Sequence, residues 1–247
     1  MRPKHMVPER LGEVCDGSHN EISYDTAQPA DRRYGGRMST DTDLFEIIYN
    51  CRAMRRLKSD PVPEALLTRL IDAGNQAPSG SNSQGARWLV VRDAEQKAQL
   101  AALNKKAVDA YIGPQSGRPS ELPHQSTEKR QRMLQAVLWQ AEHLAEVPAL
   151  IIACYQFGGK VSAGEASRAG GSVWPGIQNV LLAARALGLG AAPTTLGLAD
   201  RDAAKAVLGL PEDMEAFCLI PVGYPMGNFG PVTRMPVAET MRWDRWS

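Results

Sequence analysis

The segment from Ser172 to Leu187 limits the architecture of this chain more than any other. Apolar residues recur along it at the spacing of an α-helix. Leu182 and Ala186 make the opposite face of that helix apolar too. A helix that is apolar on all sides must be buried, either in a core or in a subunit interface. Gly188 then ends the helix.

The remaining elements are read from apolar spacing and from Gly and Pro punctuation. The predicted helices cover 43–52, 61–74, 94–103, 125–146 and 200–208, and the predicted strands cover 88–91, 147–155 and 218–223. Several Gly and Pro residues predict a loop over 112–124. Helices alternate with few strands, which favours an α+β or α/β fold with helix in excess.

Residues 1–38 differ from the rest of the chain because they are polar and show no sustained apolar period. We expect an N-terminal extension there, either flexible or wrapped over a partner surface. A single domain is expected over 39–247. The N-terminus lacks the apolar core of a secretory signal, and no segment approaches the roughly 18 apolar residues of a membrane helix. We therefore expect a cytoplasmic protein that does not bind membranes.

Charge and metal-binding residue types exclude two further classes. Lys and Arg number 28 and Asp and Glu number 27, a formal net charge of +1. Such a chain has no overall electrostatic attraction to nucleic acid. The four Cys and four His are scattered and show no zinc-ligand spacing, so no metal site is expected and the cysteines read as reduced thiols.

Three segments combine residue types that bind small ligands. The basic cluster from Arg52 to Arg56 is either a solvated helix end or a phosphate site, since guanidinium groups grip phosphate bidentately. The segment 77–85 is either a polar turn or a set of amide and hydroxyl groups for a heteroaromatic ring. The small residues of 188–197 would let backbone approach a flat ligand.

Taken in order, these segments resemble the nitroreductase family of FMN-dependent oxidoreductases. The matching stretches are Cys51–Leu57, Pro61–Glu64, Ala77–Gln84, Leu187–Gly190 and Ile220–Pro225. The resemblance covers about residues 42–240. It implies an α+β fold with a central, mostly antiparallel sheet flanked by helices, and an interlocked homodimer that binds FMN at the subunit interface. The helix over 172–187 would then form the core of the dimer.

The resemblance also implies roles for individual residues. It places Arg52, Ala53, Arg55, Arg56 and Arg234 at the FMN phosphate, Pro78, Ser79, Gly80, Asn82 and Gln84 at the flavin from the other subunit, and Thr195, Leu196 and Gly197 beside flavin N5. Thr195 is a candidate for a hydrogen bond to N5. No catalytic side chain is implied, because the flavin carries the chemistry.

The implied activity is a ping-pong transfer of electrons from NADPH or NADH, through flavin N5, to a nitroaromatic or quinone acceptor. Two alternatives stay open: a specialised activity, such as reductive dehalogenation or flavin cleavage, and flavin binding without turnover. Residues 105–124 are expected to cover the site. Lys105 and Lys106 are candidate cations near flavin N1, and Tyr111 is a candidate lid residue.

Four positions depart from the pattern of the family. Cys51 stands where Arg is frequent, and Ala53 stands where Ser is frequent. Both departures remove groups that could bind phosphate. Gly85 and Ala86 stand where Pro and Trp are usual, and Trp88 brings an aromatic side chain two residues later.

Overall fold

The computed structural model describes residues 44–115, 118–120, 122, 124–160 and 163–246, so the extension predicted over 1–38 lies outside the described residues. The helices are α1 Leu44–Asn50, α2 Glu64–Asn75, α3 Ala94–Ile112, α4 Thr127–His143, α5 Ala163–Ala186, α6 Arg201–Leu208 and α7 Val237–Thr240. The strands are β1 Ala86–Val91, β2 Ala149–Gln156, β3 Gly190–Ala191 and β4 Met214–Gly223.

The four strands form one sheet in the order β1-β2-β4-β3. Every pair of neighbouring strands is antiparallel, with Val90 opposite Ile151, Ile151 opposite Ile220, and Ala191 opposite Val222. A bulge interrupts the pairing of β2 with β4 between Ala153 and Cys154. The expected α+β fold with an antiparallel sheet flanked by helices is therefore confirmed.

The two faces of the sheet are covered by different helices because side chains alternate along each strand. Ile151 and Ile220 pack with Leu70 of α2 and Ile177 of α5. Leu150, Ile152 and Leu219 point to the opposite face, where they pack with Leu100 of α3 and Leu208 of α6. Both central strands are thus buried on both faces, which explains their nearly continuous apolar sequence.

Helix α3 is longer than the sequence predicts. It continues to Ile112, whereas the predicted helix ends at residue 103 and a loop is predicted from 112. Leu100, Asn104, Val108 and Ile112 are all buried at helical spacing. A polar residue, Asn104, occupies one of these core positions, and this breaks the apolar period at the point where the prediction stops.

Helix α5 also extends beyond its prediction, since it begins at Ala163 and not at Ser172. It includes Pro175, which is uncommon inside a helix because proline has no backbone N–H to donate to the carbonyl four residues earlier.

Helix α5 packs closely against α2. A Cβ atom at Gly176 would lie 2.9 Å from the carbonyl oxygen of Gly74 on α2. Small residues therefore allow α2 and α5 to approach.

A buried ion cluster attaches α6 to β4. Glu215 is 6% exposed. Its carboxylate accepts hydrogen bonds from Arg201 Nε at 2.8 Å, from Arg201 Nη2, and from Lys205 Nζ at 3.1 Å. Burial acts to raise the pKa of Glu215, but the hydrogen bonds and charges of Arg201 and Lys205 outweigh it and lower that pKa. The carboxylate therefore contributes stability above its ordinary pKa, and this contribution is lost as the pH falls.

Within the described ranges, no helix combines the length and the apolarity that crossing a bilayer requires.

We predict that Glu215→Gln lowers the free energy of unfolding at neutral pH by about 1.5–3 kcal/mol, because charged hydrogen bonds to Arg201 and Lys205 are lost. The difference between wild type and variant should shrink as the pH falls below the ordinary pKa of a glutamate, about 4.3, and through the lowered pKa of folded Glu215. Urea unfolding at a series of pH values measures both quantities. Asp202→Asn is the control, because that side chain is 93% exposed and an exposed ion pair contributes little. A difference that does not change with pH would contradict the assignment.

Candidate functional site

The arginine-rich segment after α1, residues 51–58, is called the arginine segment and is held in place by its apolar residues. Met54 and Leu57 are buried, and Met54 N donates to Ala191 O at 3.0 Å. Leu57 forms a bridge with Pro225, directly after β4. Arg52, Ala53 and Arg56 are exposed and Arg55 is half-buried. The segment thus presents its basic side chains away from the core.

A cavity of about 390 Å³ is lined by Arg52 and Ala53 together with Arg234. We call it the arginine cavity. Its lining residues come from α1, the arginine segment, α5, β3 with the residues just after it, and the chain after β4 (residues 224–246), which we call the C-terminal segment. They are Ile48, Tyr49, Cys51, Arg52, Ala53, Gln178, Leu181, Ala191, Pro193, Val232 and Arg234. Val232 N donates to Tyr49 O at 2.9 Å, which fixes the C-terminal segment across the cavity.

The guanidinium groups of this cavity keep most of their donors available. Arg52 Nη2 donates to Asn228 O at 2.8 Å, and Arg234 Nη1 donates to Thr233 O at 2.9 Å. Among the described residues, no carboxylate pairs with either side chain. Arg55 makes no ion pair there either, and burial lowers its pKa. Unpaired cations around an apolar-walled cavity are suited to an anionic ligand.

The thiol of Cys51 is influenced by the positive charges around the cavity. Its thiol donates to Leu181 O on α5 at 3.6 Å. Burial raises the pKa of Cys51, while the charges of Arg185 and Arg234 act in the opposite direction. Arg185 therefore belongs to the surroundings of this cavity, although the sequence analysis did not single it out. Its spacing of four and seven residues from Leu181 and Gln178, on one face of α5, is the signal that could have found it.

The turn between α2 and β1 holds three non-glycine residues in left-handed backbone conformations. The φ angles are 52° at Ser81, 51° at Asn82 and 48° at Gln84. Ser79 Oγ accepts from Gln84 N at 3.0 Å, and Ser172 Oγ of α5 accepts from Gly80 N at 3.0 Å. Such conformations cost about 1–3 kcal/mol each and concentrate at functional sites.

A second cavity, of about 360 Å³, lies beside this turn. We call it the turn cavity. Ser79 and Gln84 line it together with Trp88, whose indole N–H donates to Asn75 Oδ1 at 2.8 Å. Pro78, Gly80 and Asn82 lie on the same turn but do not line the cavity. Asn82 Oδ1 accepts from Gln84 Nε2 at 3.2 Å.

The predicted site residues therefore fall into separate groups within one chain. No residue lines both the arginine cavity and the turn cavity. Thr195, Leu196 and Gly197 line neither, although Pro193 lines the arginine cavity. They follow Thr194, which bridges to Leu219 of β4, and Gly197 packs against Asn104 of α3.

The residues expected to cover the site lie mostly on α3. Lys105 Nζ pairs with Asp109 at 2.9 Å on an exposed face of that helix, and Tyr111 is exposed. Lys106 is exposed as well. These side chains line neither the arginine cavity nor the turn cavity. Positions 116, 117, 121 and 123 of the expected cover lie outside the described residues.

The departure at Gly85 has a structural cause. Gly85 is buried, and a Cβ atom at this position would overlap the ring of Tyr155 at the end of β2. The Tyr155 hydroxyl lies 3.0 Å from Ser83 Oγ. Tyr155 therefore occupies the space that a larger residue at 85 would need, and its hydroxyl contacts the turn.

The family model for the nitroreductase family matches residues 48–224. The chain belongs to the nitroreductase family. The matched region contains the arginine segment, the turn and the whole sheet. All of the predicted site residues except Arg234 lie within it.

Named relatives of this nitroreductase-family chain carry different activities. It is 30% identical to an NADH dehydrogenase of Thermus thermophilus over 78% of this chain and 91% of that protein. It is 28% identical to an iodotyrosine deiodinase of Thermotoga neapolitana over 74% of this chain and 88% of that protein. A crystal structure of oxidised iodotyrosine deiodinase bound to FMN and 3-iodo-L-tyrosine superposes with a TM-score of 0.65. That structure is 22% identical and covers 83% of this chain and 100% of its own, which supports the fold.

We predict that Gly85→Ala lowers the free energy of unfolding by about 1–3 kcal/mol, because the added methyl group displaces the Tyr155 ring. The same change in a Tyr155→Leu background should cost clearly less, since the ring is no longer there. Chemical unfolding of the four proteins in this double-mutant cycle measures the coupling. Gly158→Ala is the control, because a Cβ atom there meets nothing within 4 Å. Equal costs of Gly85→Ala in both backgrounds would contradict the assignment.

Proposed function

We propose that this chain binds FMN and uses it to transfer electrons from NADH or NADPH to a small aromatic acceptor of the nitroaromatic or quinone type. The observation that carries the proposal is the arginine cavity, where Arg52 and Arg234 surround an apolar-walled space and are paired with no described carboxylate. The similarity to an FMN-bound structure and to a relative named NADH dehydrogenase supports the cofactor and the donor.

The residues present fit the phosphate end of FMN. Arg52 and Arg234 offer guanidinium donors from opposite ends of the chain, and Arg55 and Arg56 supply further positive charge from the same segment as Arg52. Guanidinium groups bind phosphate through strong charge-assisted hydrogen bonds. Ala53 lines the cavity without a polar side chain, so it would contribute only its backbone.

The turn supplies groups that fit the edge of the flavin ring. Asn82 and Gln84 each carry an amide donor and an amide acceptor. Their mutual hydrogen bond uses the Gln84 amide as donor and the Asn82 oxygen as acceptor. Ser79 lines the turn cavity, and Pro78 and Gly80 shape its turn. Thr195, Leu196 and Gly197 would present backbone N–H groups and the Thr195 hydroxyl to flavin N5.

A second copy of the chain would unite the two cavities, and we propose a homodimer for this reason. One copy would provide the arginine cavity and the other its turn. Large apolar side chains exposed on α1, on α5 and in the C-terminal segment support the dimer, since contiguous apolar surface marks association sites. They include Leu44, Tyr49, Trp174, Trp243 and Trp246.

FMN, when bound, would supply the redox chemistry, the transfer of electrons from the nicotinamide to the acceptor. The protein's own residues would bind and orient it. The arginines would hold the phosphate, the strained turn would hold the ring edge, and the 195–197 segment would lie beside N5. No described side chain is required to act as an acid or a base in this scheme.

Reductive dehalogenation of an aromatic substrate is the second candidate. The similarity to iodotyrosine deiodinases, in sequence and in fold, favours it. Both candidates use the same phosphate and ring contacts and differ in the acceptor. Acceptor specificity therefore distinguishes them.

We predict that the purified protein binds FMN and that anaerobic NADH or NADPH bleaches the visible absorption of the bound flavin. Reoxidation by nitroaromatic or quinone acceptors would support the first candidate, and iodide release from 3-iodo-L-tyrosine would support the second. Stopped-flow absorbance and iodide detection measure these outcomes. A protein that binds flavin but is reduced by neither donor would contradict electron transfer from nicotinamides. Failure to bind FMN at all would overturn the whole proposal.

We also predict that Arg234→Ala weakens FMN binding about 10- to 100-fold, because charge-assisted hydrogen bonds to the phosphate are lost. Binding of riboflavin, which lacks the phosphate, should change little. Fluorescence titration of flavin-free protein with both ligands measures the two effects. Arg69→Ala, an exposed arginine on α2, is the control. An unchanged FMN affinity would remove Arg234 from the phosphate site.

A further inference from the structure

Arg185, in the last turn of α5, is a mostly buried cation. Its side chain is 18% exposed, and its guanidinium carbon lies 4.4 Å from the centroid of the Phe229 ring. The stacking fixes the plane of the guanidinium group between α5 and the C-terminal segment. Its position is therefore determined by packing on both sides.

The guanidinium group has no hydrogen-bond partner within the part of the chain that the structure describes. Its Nε atom is buried and unpaired. The nearest carboxylate oxygen is Glu46 Oε1 of α1, which lies 3.7 Å from Arg185 Nη2 and belongs to a side chain that is 57% exposed. An arginine has five N–H donors, and a buried donor without a partner is costly. This cost suggests that Arg185 serves a ligand.

Arg185 does not line the arginine cavity but lies on α5, the helix that contributes two of its lining residues. Leu181 and Gln178 line the cavity, and Arg185 lies four and seven residues further along the same helical face. The thiol of Cys51, which also lines the cavity, is within the electrostatic reach of both Arg185 and Arg234. Two arginines from different elements thus act on one point of the cavity wall.

We propose that Arg185 supplies a further positive charge to the anion site of the arginine cavity and positions the phosphate group bound there. The inference rests on the proposed FMN function and extends it to a residue of α5. Glu46 acts as the counter-anion of Arg185 when no phosphate is present. Cys51 and Ala53 line the cavity without a charge, and Arg185 compensates for this from α5.

Arg185→Ala should weaken FMN binding about 3- to 10-fold, as expected for a partly buried charge that acts without direct lining of the cavity. Arg185→Lys should retain most of the affinity, since it keeps the charge. Glu46→Gln should strengthen FMN binding about 2- to 5-fold, because it removes the competing carboxylate. Riboflavin affinity should stay within error in all three variants.

The test is a titration of flavin-free protein with FMN and with riboflavin, monitored by flavin fluorescence at low and at high salt. The Arg185→Ala effect should decrease at high salt. Equal losses for FMN and riboflavin would show that Arg185 only supports the fold, and this would overturn the proposal. Unchanged or weaker FMN binding by Glu46→Gln would also overturn it, even if Arg185→Ala does not fold.

Inorganic phosphate separates this proposal from the proposed function. Phosphate should raise the melting temperature of wild type more than that of Arg185→Lys, and least of all that of Arg185→Ala. If the wild type binds no FMN but shows this phosphate series, the function fails and the anion site stands. If FMN binds normally but Arg185 variants respond to phosphate as wild type does, the function stands and the inference about Arg185 fails.

Discussion

The backbone pairing of strand β4, and of the residues that follow it, positions two parts of the candidate site. The strand is buried on both faces. Pro225, two residues beyond its end, bridges to Leu57, while within the strand Val222 pairs with Ala191 and Leu219 bridges to Thr194. The arginine segment and the 193–197 segment are therefore positioned by backbone hydrogen bonds to one continuous stretch of chain. Rigid support of this kind allows polar groups to be aimed at a ligand.

The candidate site contains two features that are energetically costly. Glu215 is buried but paired with two cations, whereas Arg55 and Arg185 are partly buried without hydrogen bonds among the described residues. Left-handed conformations of non-glycine residues are concentrated in the turn before β1, at Ser81, Asn82 and Gln84. Partly buried guanidinium groups without hydrogen bonds and backbone strain are tolerated where ligand binding compensates for them. Their location supports a two-part site, with an anionic end and a ring end.

The local patterns of the sequence determine much of the fold. Apolar runs locate β2 and β4, helical spacing locates α2 and α6, and Gly and Pro punctuation locates the turn before β1. The pattern fails where tertiary packing overrides it. Asn104 occupies a core position of α3, and β3 is a short pair of residues that owes its strand conformation to β4. Neither can be read from local spacing, because Asn104 is a polar residue in a core position and the strand that pairs with β3 lies far away in sequence.

By itself, the sequence determined the family and the α+β class, since both rest on residue type and order, while the assignment of Arg52 and Arg234 to a phosphate site stays a prediction. Only the tertiary structure decided that Arg234 and Arg52 line one cavity, that the turn lines a different cavity, and that Arg185 lies against Phe229. In the same way, only the structure shows that the Tyr155 ring leaves no room for a side chain at position 85. These relations join residues separated by large stretches of chain, and distance in space follows from how helices and strands pack, which no local pattern encodes.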